Sequence, residues 1–425
     1  MANFQRRRLD NGINVFIHPT DKFKTILVQL IFHRRLHKEE VTQSALLPSI
    51  LQRGSKNYPT RQKLSSALEE LYGTELMSEV IKKGERQLIS YSMELVHDQY
   101  LPGENQLLRK GLEIFKDLLT NPLLEGNAFR ADYVKQEKEQ HERVIKGIIN
   151  DKIAYSVERC LQEMCQAEPF SIFKYGTVEQ LAQETPKSLY DFYRRFMQET
   201  PADLHVIGDL DVEKTFALIE KLFNYQRGED LAVPDTQVDI QPREVRYVKE
   251  EMDVNQGKLV LGYRTGLSYG DEDYFALLMY NGILGSFPHS KLFQNVREKA
   301  SLAYYAYSRL EKHKGLMVIS SGIESDNYER TLEIIHRQVQ AMKEGDFSQE
   351  DLDNTRSGLR NQFLVEEDNP YAIINRTLDG MLVGQVWETD ELLQRLNAVT
   401  RDDIVRVAEN IKLDTVYFLT GIGGV

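Results

Sequence analysis

Two stretches of this chain carry the same order of apolar and polar positions. The run KTILVQLIF at Lys24–Phe32 predicts a buried strand, and an apolar helix follows at Ala45–Leu51 (ALLPSIL). In the second half KLVLGY at Lys258–Tyr263 is followed by ALLMYNGIL at Ala276–Leu284, 231 positions on from Ala45. Next come KLSSALEE (Lys63–Glu70) and KLFQNVRE (Lys291–Glu298). Leu108, Leu112, Phe115 and Leu119 repeat at helical spacing, as do Leu332, Ile335, Val339 and Met342. Each of these helices leads to a long charged helix opening at Phe129 or Phe347. TPKSLYDFYRRF (Thr185–Phe196) precedes the strand Asp203–Asp209, and TRDDIVRVAENI (Thr400–Ile411) precedes the strand Asp414–Gly421.

Matches in one order with a slowly drifting offset describe an internal repeat. Strands at both ends of a run of helices predict an α+β fold. It consists of two homologous domains, each a mixed or antiparallel sheet with helices packed on one face. The domains expected are residues 1–225 and 243–425. Between them Gln226–Pro242, with acidic residues, prolines and no helical period, reads as a linker. Leu9–Gly12 (LDNG) signals a hairpin turn, and Arg6–Arg8 before it reads as a solvated strand edge.

The 425 residues are 41% hydrophobic and 28% charged, a globular balance, with a net charge of −12. That charge, without a basic aromatic stripe, argues against nucleic acid. No run of 18 apolar residues suggests a membrane span, and MANFQRRRLDNG offers no apolar leader core, so the cytoplasm is the expected compartment. Cys160 and Cys165 form neither a disulfide framework nor a CxxC metal site. No glycine-rich nucleotide loop is present.

Three groups of residues invite chemistry. His33 and His37 in HRRLH have metal-ligand spacing only on a helix, and the segment reads as a loop after a strand. Glu137, Glu139, His141 and Glu142 lie on a helix that also carries Lys135, Lys138, Arg143 and Lys146, so ion pairing on a solvated face accounts for them. Arg297 and Tyr304, in KLFQNVREKASLAYYAYS, sit where a helix gives way to a strand near Leu302. A guanidinium and a phenol there would serve to anchor a peptide carbonyl or an oxyanion.

Together the repeat and the segments LDNGINV, RGSKNYPT (Arg53–Thr60), HVIGDLD and KLFQNVREKASLAYYAYS resemble the insulinase/pitrilysin superfamily of zinc metallopeptidases, which includes the mitochondrial processing peptidase. The resemblance implies that Arg297 and Tyr304 bind substrate. It also implies an HxxEH motif before Arg53-Gly54-Ser55, and here Ala45, Pro48 and Ser49 stand at the His, Glu and His positions. The distal ligand position falls on Lys146 or Gly147. No zinc is therefore expected on this chain, and no general base to activate a metal-bound water. The pattern is similar to the zinc-less YmfF-like subunits. It implies a catalytically incomplete subunit that supplies Arg297 and Tyr304 to a homologous partner bearing HxxEH and zinc, with a peptide as substrate. The isolated chain is a possible homodimer. The alternatives are a non-catalytic scaffold or peptide-binding protein of the same fold, and a peptidase rebuilt on His33 and His37.

Overall fold

A computed structural model describes residues 4–103, 106–242 and 244–422. It divides into two compact units, one of Asn3–Lys146 with Ile172–Asp235, the other of Gly147–Ser171 with Thr236–Val425. Residues 147–171, from the first repeat, thus pack with the second.

The first unit holds the strands β1 (Gln5–Arg8), β2 (Asn14–Pro19), β3 (Thr25–Arg35), β4 (Leu76–Lys83) and β5 (Arg86–Val96), a short ribbon of β6 (Leu124–Glu125) and β7 (Ala128–Phe129), and β8 (Ala202–Gly208). Its sheet runs β1-β2-β8-β3-β5-β4. Only the β2–β8 pair is parallel. Alternate residues of β3, Ile26, Val28, Leu30 and Phe32, face the core. Against them pack α1 (Val41–Leu51), α3 (Leu107–Thr120) and α7 (Pro186–Glu199), through residues such as Leu46, Phe115 and Phe192. The remaining helices are α2 (Arg61–Glu69), α4 (Ala131–Gly147, whose last residue belongs to the second unit), α6 (Val178–Gln183) and α8 (Val212–Phe223). β1 is exposed throughout, as its three arginines predict.

The second unit contains α5 (Lys152–Met164), β9 (Arg246–Met252), β10 (Gly257–Arg264), α9 (Tyr274–Asn281), β11 (Ala303–Glu311), β12 (Leu316–Ile323) and α10 (Tyr328–Lys343). It continues with α11 (Gln349–Glu366), α12 (Pro370–Leu382), α13 (Thr389–Ala398), α14 (Arg401–Asn410) and β13 (Lys412–Gly421). Its sheet runs β11-β12-β10-β13-β9, again with one parallel pair, β13 with β9. Read from β9, this is the order and sense of β2-β8-β3-β5-β4, which is the duplicated fold the repeat predicts. The helices before the two matched strands even start alike. Thr185 caps α7 and Thr400 caps α14, each in a reciprocal capping box.

Leu259, Leu261 and Tyr263 turn to α9, α10 and α14, while Val260 turns the other way with Leu316, Val318, Tyr417 and Leu419. That second face is covered by Val157, Cys160, Leu161 and Met164 of α5. Gly262 permits the approach, because a Cβ there would lie 2.8 Å from the Met164 sulfur. Buried charges fasten the layer. Arg264 bonds Asp414 (2.9 Å) and Glu168 (2.6 Å), and fully buried Lys314 bonds Glu168 (2.6 Å). Burial alone would raise the Glu168 pKa, but the bonds from Arg264 and Lys314 outweigh it and hold the carboxyl below its ordinary value.

Candidate functional site

The stretch that leads to Arg297 and Tyr304 departs from regular geometry four times in succession. α9 runs into a π-helical turn at Gly282–Ser286, and a second π segment covers Phe293–Lys299. Such widened turns recur at functional sites. Leu292 and Val296 anchor the second segment in the core. Arg297 is left on its surface, with its guanidinium over the Phe293 ring (4.6 Å) and near Glu298 (3.6 Å). The chain then turns through Ser301, a non-glycine residue at φ 52°, while Leu302 N–H reaches back to the Val296 carbonyl (3.1 Å).

β11 starts at Ala303, as the sequence predicts, and starts with a bulge. Ala303 pairs with Ile323 and Tyr305 with Gly322, so Tyr304 is the extra residue. Bulges re-aim side chains at sheet edges, and Tyr304 is 66% exposed with no hydrogen bond to any described residue. The arrangement is braced from behind. Asn281 Nδ2 donates to Ser286 Oγ (2.5 Å), and Ser308 Oγ donates to the Asn281 carbonyl (3.3 Å). Two solvent-facing donors, a planar cation and a phenol, thus stand at one junction, where Arg297 has an ion pair with Glu298 and, among the described residues, neither side chain has a hydrogen bond.

The HxxEH-aligned positions lie elsewhere, on α1. Ala45 is buried, Pro48 sits within the helix, and Ser49 opens on a polar cavity of about 550 Å³ lined also by Gln52, Arg53, Arg61, Glu69 and Glu137. A methyl, a pyrrolidine and a hydroxyl do not fit a zinc ion. Lys146 is exposed and paired with Glu142 (2.5 Å), and Gly147 ends α4. Among the described residues no group of three His, Cys, Asp or Glu could hold a metal.

Two expectations are corrected here. His33, Arg34 and Arg35 belong to β3 rather than to a loop, and the His33 ring is committed to Asp203 (Nε2–Oδ2 2.8 Å). Buried partners let charged residues occupy an interior strand. Glu137 and His141 are buried, not on a solvated face. Glu137 accepts from Arg53 Nε, and His141 Nε2–H donates to the Tyr175 carbonyl (2.8 Å). The sequence holds no local signal for the Arg53–Glu137 pair, since its members stand 84 positions apart.

A family model described as the peptidase M16 inactive domain matches residues 183–359. The chain is 41% identical over 97% of its length, and 97% of the relative's, to the "Probable inactive metalloprotease YmfF" of Bacillus subtilis. Among solved structures it is similar to a conserved protein from Enterococcus faecalis (TM-score 0.91, 33% identity, 99% of each chain). It shares the fold of a protease from Helicobacter pylori (TM-score 0.82, 18% identity, 99% of this chain and 100% of that one).

Proposed function

This chain belongs to the M16 family of insulinase-like peptidases, and from that premise we propose that it is the zinc-less member of a two-subunit peptidase, lending Arg297 and Tyr304 to a homologous partner that carries HxxEH and zinc. One observation carries the reading: the bulge at Tyr304 and the π segment under Arg297 present both donors outward, while positions 45, 48 and 49 offer no ligands. Arg297 would hold a substrate carbonyl or carboxylate in place, and the Tyr304 hydroxyl would donate to the oxygen on which charge develops. The water-activating chemistry belongs to the partner. Two free, buried cysteines suit a reducing cytoplasm, and among the described residues no helix is long and apolar enough to cross a membrane.

The test is reconstitution with an HxxEH-bearing M16 subunit from the same genome. Alone, the chain cleaves no peptide and elemental analysis finds no stoichiometric zinc. In the complex, Tyr304→Phe and Arg297→Lys each lower peptide turnover by about 10²-fold, with folding and association intact. Unchanged turnover in both variants would assign the chain to the scaffold role instead.

A further inference from the structure

The helix α2 carries its charges in the reverse of the order a helix favours. Aligned peptide dipoles make the N-terminus of a helix positive and its C-terminus negative, so acidic residues suit the first turn and basic ones the last. α2 has Arg61 and Lys63 in its first turn and Glu69 at its end, with Glu70 as the C-cap, and it has no acidic residue in the first turn or basic one in the last. Each terminus meets side chains of its own sign, which weakens the helix. Among the described residues the exposed side chains of Arg61 and Glu69 have neither an ion pair nor a hydrogen bond. Both line the cavity of about 550 Å³ on which Ser49 opens, and Leu64 and Leu68 line it between them. This spacing puts all four on one face of the helix. At 1.5 Å per residue the two charged positions stand about 12 Å apart along the axis. Leu64 is buried in the core and Leu68 packs against it, so the stretch between the charges has an apolar floor. Glu75, in the loop that follows α2, lines the same cavity and is likewise unpaired among the described residues. The remaining charges of the lining, Arg53 and Glu137, are bonded to each other.

We propose that this cavity binds a short free peptide, its carboxylate at Arg61 and its ammonium at Glu69 and Glu75. Three extended residues span about 10 Å, which fits between charges about 12 Å apart. A volume of about 550 Å³ lies in the range of small-ligand sites. The direction of the peptide is set twice. The carboxylate meets a guanidinium and the positive end of α2, and the ammonium meets two carboxylates and the negative end. The bound termini also reverse the sign at each end of the helix, which offsets the cost of its charge order. A small anion would satisfy the Arg61 end alone, and a simple cation only the Glu69 end. An internal segment of a longer chain has neither terminus to offer. The ligand is therefore a zwitterion with its charges at opposite ends. The inference does not depend on the two-subunit reading, since every residue it uses belongs to the first unit of this chain.

Calorimetric titration of the full chain with the tripeptide Ala-Leu-Ala tests it. The free peptide binds with a Kd on the order of 0.1 mM. Capping either end, by N-acetylation or by C-amidation, raises Kd at least about tenfold. Arg61→Gln weakens the free peptide to the level of the amidated one, and amidation then costs nothing further. The double variant Glu69→Gln/Glu75→Gln does the same for acetylation, so the two matched pairs fix the orientation. Both variants unfold at the wild-type temperature or above it, because α2 loses a charge that opposed its dipole. Charges with a purely structural role would give the opposite, a lower unfolding temperature and no change in binding. No binding at about 1 mM peptide, an affinity indifferent to either cap, or a capping cost that persists in the matched variant overturns the proposal.

Discussion

Arg53, just past the end of α1, donates its Nε proton to the Glu137 carboxylate of α4, and both line the cavity on which Ser49 opens. The pair is charge-neutral as a unit, and its carboxylate is already bonded to a guanidinium. A cation entering that cavity finds the Glu137 carboxylate already committed to Arg53.

Restoring the motif by A45H, P48E and S49H should therefore leave zinc binding weak. Adding Arg53→Ala removes the charge and frees Glu137, and zinc affinity should rise at least about tenfold. Calorimetric titration of the triple and quadruple variants makes the comparison, both carrying the same new side chains at positions 45, 48 and 49. Equal affinities would show that the ion pair is irrelevant to the lost site.

Gly285 lies where the first π turn meets β11. A Cβ there would fall 2.4 Å from the Ser308 amide nitrogen and 2.5 Å from its Oγ. Gly285→Ala should push the turn off the strand, costing about 1–3 kcal/mol of stability, and should mobilise Arg297 and Tyr304. Denaturant unfolding reads the first effect and amide exchange across residues 293–304 the second. A stability change under about 0.5 kcal/mol would mean that the contact relaxes freely.

His205 on β8 is fully buried, stacks on Phe16 (ring centroids 4.7 Å apart), and is pushed down to about 4 by burial, with nearby Asp203 opposing the shift and His33 adding to it. It stays neutral in the folded chain, whereas the unfolded chain takes up the proton near the ordinary 6.5. Stability should thus be full above about pH 6.5 and fall as pH drops toward 4, by roughly 3 kcal/mol. His205→Phe should flatten that limb. Parallel pH profiles for the two proteins over this range would refute the assignment.

Glu168 holds both Arg264 and Lys314 beneath α5. Glu168→Gln takes a carboxylate away from two buried cations, and breaking such a pair costs about 3–5 kcal/mol. The paired change Glu168→Met/Lys314→Met should recover part of that loss, because two apolar side chains leave no orphan charge. Chemical denaturation of the three proteins decides, and a double variant no better than the single one would assign the loss to packing.

The fold was legible where apolar alternation was strong. β3, β8, β10 and β13 stand where the runs at Lys24, Asp203, Lys258 and Asp414 predict them. The helix-to-strand change at Arg297–Tyr304 was legible too, since Ser301 and the Tyr/Ala run break helical spacing. The bulge was not, because it depends on how β11 registers with β12. Charged residues misled where their partners were distant. Arg34 reads as a loop residue until Thr200 (3.1 Å) and Glu40 satisfy it, and Glu137 reads as solvated until Arg53 does. A one-dimensional pattern records which residues are polar but not which polar residues find each other.

The placement of α5 also sets a timetable for synthesis. Its apolar face, Val157, Cys160, Leu161 and Met164, leaves the ribosome before any strand that will cover it exists. The last of those strands, β13, ends at Gly421, 257 residues beyond Met164. At about 5–20 residues per second that interval lasts on the order of 10–50 s. Until β10 emerges the helix has none of these strands to lie on, and its cover is complete only when β13 follows.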